Sequence, residues 1–317
     1  MDQLEAAVER ILREAEGDPE GRWKLCGDGL IQEVSSELGI SRRNLEDRLA
    51  ELGVFSRRYE RNLPSLGPEG QRRLFSAHVA VVGCGGLGGT VAELLARAGV
   101  GRFTLVDPEC FEESNLNRQL VCTPARLGQP KAAATAERLQ EVNPAVCCQV
   151  ACEALIADNA QELLQGADVA VDSLDSAAAR LVLEEACHQL QIPLIHAALA
   201  GHLGRVMTVM PGDWTVRRLY AQHDQYTAEA QRFDALQSPT VTPAVLAALQ
   251  AAEVIKVLTG RGDLLQGRAL VVDLERGAAG VFPLRLLQWG SALRRLLGRS
   301  AGRAESPRAG GGRGERT

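Results

Sequence analysis

HVAVVGCGGLGG fills residues 78–89, and FTLVDPE follows at 103–109. His78 to Val82 is a short apolar, β-branched run, which predicts a buried strand. Gly83, Gly85 and Gly88 then supply the G-x-G-x-x-G spacing. The first glycine allows a tight turn, the second lets backbone approach a phosphate, and the third lets a helix pack on the strand. Val91 to Ala98 predicts that helix, with an N-terminus suited to an anion. Arg102 to Val106 predicts the second strand, ended by Asp107. An acidic residue there, roughly twenty residues past the loop, suits a ribose hydroxyl. An NAD site and an ATP site fit these residues equally well.

The residues downstream separate the two. NAD carries a diphosphate, for which helix amides usually suffice. This chain adds Arg118 in NLNRQ and Lys131 in GQPK. It has only three lysines, Lys24, Lys131 and Lys256, against 32 arginines. A lone lysine in such a chain points to use of its compact point charge. A positive clamp on phosphates suits phosphoryl or nucleotidyl chemistry better than hydride transfer. The competing reading is two solvated surface cations.

Taken together, these motifs resemble the MoeB/ThiF/HesA family, the bacterial relatives of ubiquitin-activating enzymes. The matching stretches are RRYERN at 57–62, GCGGLGG at 83–89, LVDPE at 105–109, ESNLNRQ at 113–119, LGQPK at 127–131 and VNP at 142–144. VAVDSLDS at 169–176, GHLGRV at 201–206 and QAAEVIKVLTG at 250–260 continue the likeness, which spans about residues 57–285. The resemblance implies that Gly83, Gly85, Gly86 and Gly88 line the ATP phosphates and base, and that Asp107 holds the ribose. It places Glu109, Asn115, Arg118, Gln119 and Lys131 around the nucleotide, with Arg118 and Lys131 stabilising charge as pyrophosphate leaves. Asp175 would hold Mg²⁺. Arg61 matches an arginine that reaches the phosphates from a neighbouring subunit, so a homodimer is implied. The family usually has Gln where this chain has Asn62.

Elementary chemistry agrees with those roles. A carboxylate attacking the α-phosphate of ATP brings two anions together, so charge neutralisation and alignment matter more than acid–base groups. One carboxylate plus phosphates and waters is an ordinary Mg²⁺ shell. Asp172 would end its strand and orient the following loop. Asp175 has a competing reading as the N-cap of the helix beginning AAARLVLEEACHQL, since Asp and Ser are both good caps.

A length of 317 residues suits one large α/β domain with a small addition. Net charge is −5, which argues against non-specific nucleic-acid binding. No run of about 18 apolar residues suggests a membrane span. The charged, amphipathic start MDQLEAAVERILREAEG is unlike a signal peptide, so a cytoplasmic location is expected. The eight cysteines, including the pair Cys147–Cys148, show no disulfide-scaffold spacing.

Three units are expected. Residues 1–55 form a small helical unit, in which ISRRNLEDRLAEL after VSSELG resembles the second half of a helix-turn-helix, with Gly39 in the turn and Ser41 as cap. Residues 56–298 form the ATP-binding domain, a Rossmann-like doubly wound, mostly parallel sheet with antiparallel C-terminal strands. Its strands are expected near 78–82, 102–106, 147–151, 168–172 and 193–197, then 206–210 and 269–275, with a long loop over 215–240. Residues 299–317 form a Gly/Arg-rich disordered tail.

Zinc-binding members of the family carry two C-x-x-C pairs, consistent with a tetrahedral thiolate site. This chain has none, and no cysteine after Cys187. No structural zinc is therefore expected, nor the acceptor thiol of the family's crossover loop. His223 in that stretch reads as a solvated residue, and Cys84 as a small residue at a variable loop position. The resemblance implies ATP-dependent adenylation of the C-terminal carboxylate of a small ubiquitin-like sulfur carrier, of the kind serving molybdopterin or thiamine. Alternatives are adenylation of a peptide C-terminus, an NAD(P)-dependent oxidoreductase, and a regulatory protein whose segment 33–50 reads DNA.

Overall fold

A computed structural model describes residues 3–220 and 239–284. An eight-stranded sheet, ordered β11-β10-β9-β8-β7-β4-β5-β6, forms its centre. Strands β4 (His78–Val82), β5 (Arg102–Val106), β6 (Cys147–Ala151), β7 (Val169–Asp172) and β8 (Leu194–Ala200) run parallel. Strands β9 (Leu203–Val209), β10 (Arg268–Asp273) and β11 (Ala278–Pro283) add on antiparallel. The expected mixed α/β sheet is what the chain forms. Every residue of β4 is buried, as befits a central strand covered by helices on both faces.

Helix α5 (Gly88–Ala98) follows β4 on one face, and α6 (Lys131–Val142) packs beside it. On the other face lie α7 (Ala160–Leu164) and α8 (Ala177–Leu190), which pack on each other, and α9 (Thr215–Tyr220), which packs on α8. Two apolar clusters result, one built around Val79, Val81, Leu95 and Leu105, the other around Ala80, Val82, Leu183 and Leu194. Each such fully buried Leu or Val is worth roughly 1.5–3 kcal/mol of transfer free energy. The alternation Val79/Val81 against Ala80/Val82 is the period of two that sends successive side chains to opposite faces.

Two sequence expectations need correction here. Residues 215–220 are helical, not loop; the rest of the expected loop, with His223, lies largely outside the described residues, as does the 299–317 tail. Helix α10 (Val241–Thr259) is long and apolar enough, by length and composition, to cross a membrane, where no such run was expected. It packs against α5, β8 and β9, and its buried Gln250 donates to the carbonyls of Asp172 and Ile195, both at 2.8 Å.

The N-terminal unit is not purely helical. It combines α1 (Gln3–Glu14), α2 (Asp28–Leu38) and α3 (Arg42–Glu51) with a three-stranded sheet of β1 (Glu16–Gly17), β2 (Lys24–Cys26) and β3 (Val54–Ser56). Strands of two or three residues carry no periodicity, which is why the sequence did not announce them. Gly39 takes φ +63 at the turn after α2, while Ser41 starts α3 without a side-chain cap bond. The arginines of α3 are engaged internally. Arg42 pairs with Asp28 and Glu46, Arg48 with Glu5 and Glu51, and Arg43 with Asp47 and the Phe75 carbonyl. That leaves α3 poorly equipped to read DNA.

This unit is seated on the large domain. Arg58 joins Asp28 by a bidentate pair at 2.7 and 2.8 Å and donates to the Val142 carbonyl at 3.1 Å. Tyr59 accepts from Asn143 at 3.0 Å and stacks edge-on against Phe75. The seat lies at the C-terminal end of α5. A side chain at Gly99 (φ +102) would strike Gln71, Phe75 and Tyr59, and one at Gly101 would strike the Phe75 backbone and Arg43. Helix α4 (Leu63–Ser76), broken at Gly67, carries Gln71 and Phe75 to this junction.

Candidate active site

The C-terminal ends of β4, β5 and β7 converge where the chain order reverses from β4–β5 to β4–β7. Open α/β sheets bind ligands at such a switch point. The loop after β4 turns through Gly83 at φ +91 and enters α5 at Gly88. A Cβ on Gly83 would lie 2.5 Å from the Ser173 carbonyl, and one on Gly88 would collide with the Gly83 carbonyl. Glycine is required at both for backbone reasons alone. Gly85 differs, because a Cβ there would meet only Gln119, at 3.6 Å. A Cβ on Gly86 would lie 3.0 Å from the Arg118 carbonyl and 3.4 Å from Pro243 of α10. The glycine loop is thus walled by the 118–119 segment, the 173 segment and the start of α10.

Asp107 ends β5, buried, and locks this loop. One carboxylate oxygen accepts from the Cys84 N–H at 2.7 Å, the other from the Glu109 N–H at 2.8 Å. Burial raises its pKa above the ordinary carboxylate range, against the lowering effect of those two N–H groups and of Lys131. Each oxygen keeps a lone pair for a ribose hydroxyl. Cys84 is fully buried in the core, which pushes its thiol pKa well up and leaves it inert.

Lys131 opens α6 and is buried, with its ammonium paired to Glu109. The Lys131 N–H also donates to the Glu109 carbonyl at 2.8 Å. Asn115 is buried and caps its own turn, accepting from Glu112 N–H at 3.1 Å. Arg118 is partly exposed, donating to the Ser114 carbonyl at 2.7 Å and to Asn117 at 3.0 Å. Gln119 Oε1 and Ser173 Oγ, both buried beside the glycines, have no hydrogen-bond partner among the described residues. Unpaired buried polar atoms are costly and point to a polar occupant.

Asp175 stands exposed just past the Ser173–Gly83 contact, with no hydrogen bond or ion pair to another described residue. The helix cap is Ser176 instead, whose hydroxyl accepts from Ala179 N–H at 3.2 Å. An uncommitted hard-oxygen donor near the glycine loop is of the type a hard cation such as Mg²⁺ takes. Arg61 is not brought to this group. Its neighbour Asn62 binds the Ala98 carbonyl at the far end of α5, 10 residues from Gly88, or roughly 15 Å along the helix.

A buried polar chain behind Asp175 escaped the sequence reading, apart from Asp172. Asp172, fully buried, accepts from Leu174 N–H at 3.0 Å, so it ends β7 and orients the loop as expected. It also accepts from His196 Nδ1 at 2.6 Å. His196 Nε2 lies 3.3 Å from Arg205 Nη2, and Arg205 donates to Tyr220 Oη at 3.0 Å. Burial lowers the His196 pKa from 6.5 to about 4, so the ring is neutral. The one available signal was a histidine inside the apolar run PLIHAALA.

Known proteins resemble this chain in sequence and in fold. The sequence model of the ThiF family matches residues 59–287. The SAMP-activating enzyme E1 of Haloferax volcanii is 34% identical over 220 residues, covering 68% of this chain and 80% of that protein. The sulfur carrier protein adenylyltransferase of Thermus thermophilus is 38% identical over 229 residues, covering 68% of this chain and 82% of that protein. The solved structure of E. coli MccB with AMPCPP and MccA shares the fold, with a TM-score of 0.63 at 23% identity over 72% of this chain and 71% of that one.

Proposed function

Since the chain belongs to the ThiF family, we propose that it adenylates the C-terminal carboxylate of a small ubiquitin-like sulfur-carrier protein. It is an ATP-dependent adenylyltransferase. The observation that carries the reading is the buried Lys131 beside Asp107 and the glycine loop. A buried ammonium whose ion pair is with an exposed carboxylate, Glu109, is well placed to take a phosphate.

In the reaction a carboxylate oxygen of the carrier attacks the α-phosphorus, and the bond to pyrophosphate breaks. Asp107 holds the glycine loop and takes a ribose hydroxyl. Lys131 and Arg118 offset the charge on the attacked phosphate and the departing pyrophosphate. Mg²⁺, held by Asp175, would supply further charge neutralisation on the phosphates. Arg61, at the far end of α5 from its own loop, suits service to the site of a second copy, which supports a homodimer. The eight cysteines include no C-x-x-C pair, and we expect no structural zinc. One zinc per chain in purified protein would overturn that expectation.

ATP–pyrophosphate exchange tests the reading. Exchange that depends on a carrier ending in Gly-Gly supports it and identifies the carrier. Exchange only with a short peptide shifts the substrate to a peptide C-terminus. Absence of exchange with either, together with binding of NAD in preference to ATP, overturns it.

A further inference from the structure

Leu174, the residue before Asp175, has both backbone polar atoms held. Its N–H donates to Asp172 Oδ1 at 3.0 Å, and its carbonyl accepts from Arg180 Nη2 at 2.5 Å. That carbonyl belongs to the peptide bond that leads into Asp175. Arg180 is fixed in turn, since its Nη1 donates to Tyr220 Oη at 2.6 Å. Asp172 is fixed by His196 at 2.6 Å. The tautomer of His196 follows from its neighbours. A guanidinium only donates, so Nε2 facing Arg205 is the acceptor and Nδ1 carries the proton given to Asp172.

We propose that Asp172, His196 and Arg180 are positioning residues that aim the Asp175 carboxylate at a divalent cation; the proposal rests on the Mg²⁺ reading of Asp175 given above. Asp175 makes no bond of its own among the described residues, so its direction comes from the backbone that carries it. Apolar side chains at a strand end would carry no desolvation cost. Instead Asp172, His196 and Arg205 are buried at 0–2% exposure, an arrangement that costs desolvation and is stable only when fully bonded. Residues standing behind a metal ligand orient it in this way, and losing one typically costs about 10–100-fold in metal affinity.

The test uses the full chain with α,β-methylene-ATP, and Mn²⁺ titrated by electron paramagnetic resonance as the probe. Affinity for the nucleotide without metal is measured alongside. Asp175→Ala is expected to lose the tight Mn²⁺ site. His196→Leu and Arg180→Met are expected to weaken Mn²⁺ about tenfold or more, with metal-free nucleotide affinity unchanged. His196→Asn keeps a donor at the Nδ1 position and is expected to restore Mn²⁺ binding. Wild-type Mn²⁺ affinity in His196→Leu and Arg180→Met, with loss in Asp175→Ala, overturns the positioning proposal and leaves the metal reading intact. Wild-type Mn²⁺ affinity in Asp175→Ala overturns the metal reading itself. Equal losses with and without metal mark general damage and overturn the positioning role. If His196→Leu does not fold, Arg180→Met decides, since its side chain lies nearer the surface.

Discussion

Lys131 and Glu109 are paired at the mouth of the glycine loop, the cation buried and the anion 63% exposed. The pair is lopsided: Glu109 keeps most of its hydration while Lys131 keeps little. Nucleotide phosphate can therefore replace Glu109 with a modest desolvation cost. Lys131→Ala should lower ATP–pyrophosphate exchange by about 100-fold or more, the usual effect of removing a donor that meets developing charge. Glu109→Gln should lower the KM for ATP, because the competing carboxylate is gone. An unchanged exchange rate in Lys131→Ala would remove Lys131 from the chemistry.

The glycines of the loop separate folding from binding. Gly85→Ala meets only a Gln119 side chain at ordinary contact distance, so thermal melting should stay near wild type while ATP affinity falls. Gly88→Ala drives a methyl into the Gly83 carbonyl and should lower the melting temperature as well. Calorimetry and equilibrium ATP binding on the two variants give the comparison; equal melting temperatures would contradict it.

His196 gives a pH signature in stability. Its folded pKa is depressed to about 4 from 6.5, so the unfolded chain binds a proton there that the folded chain refuses. Stability should fall as pH drops from 6.5 towards 4, with a slope of at most about 1.4 kcal/mol per pH unit from this group. His196→Asn cannot titrate and should flatten the curve in that window. Urea unfolding at several pH values reads the difference.

Asp28 joins the N-terminal unit to the large domain through Arg58 while also holding Arg42. Burial raises its pKa, but hydrogen bonds and charge from Arg58 and Arg42 outweigh this and hold it below the ordinary range. Its stabilisation is present above the unfolded pKa near 3.8 and is lost as pH falls through the lower folded value. Asp28→Ala leaves two guanidiniums short of a partner and should cost about 2 kcal/mol, a figure discounted because the Asp28 side chain is 38% exposed. Chemical denaturation measures this.

The parallel sheet was legible because a strand buried on both faces must be a near-continuous apolar run. HVAVV and RFTLV are such runs, and each coincides with a strand end to end. The glycine loop was legible because steric exclusion admits no other residue at Gly83 or Gly88. The Asp172–His196–Arg205 chain was not legible. It exists only because β7, β8 and β9 are sheet neighbours, with Asp172 opposite His196 and Ala198 opposite Arg205. Nor did spacing show that Asp107 bonds the loop backbone, or that Ser176 rather than Asp175 caps α8.

Helix α5 is pinned at both ends by glycines with no room for a side chain, Gly88 against the phosphate loop and Gly99 against Gln71 and Tyr59. Its length therefore acts as a ruler. Adding or removing one residue would turn one end by about 100° and shift it by about 1.5 Å relative to the other. Either the loop or the seat of the N-terminal unit would lose its register. The segment 90–98 can exchange side chains, but the number of residues between Gly88 and Gly99 is fixed by what stands at the two ends.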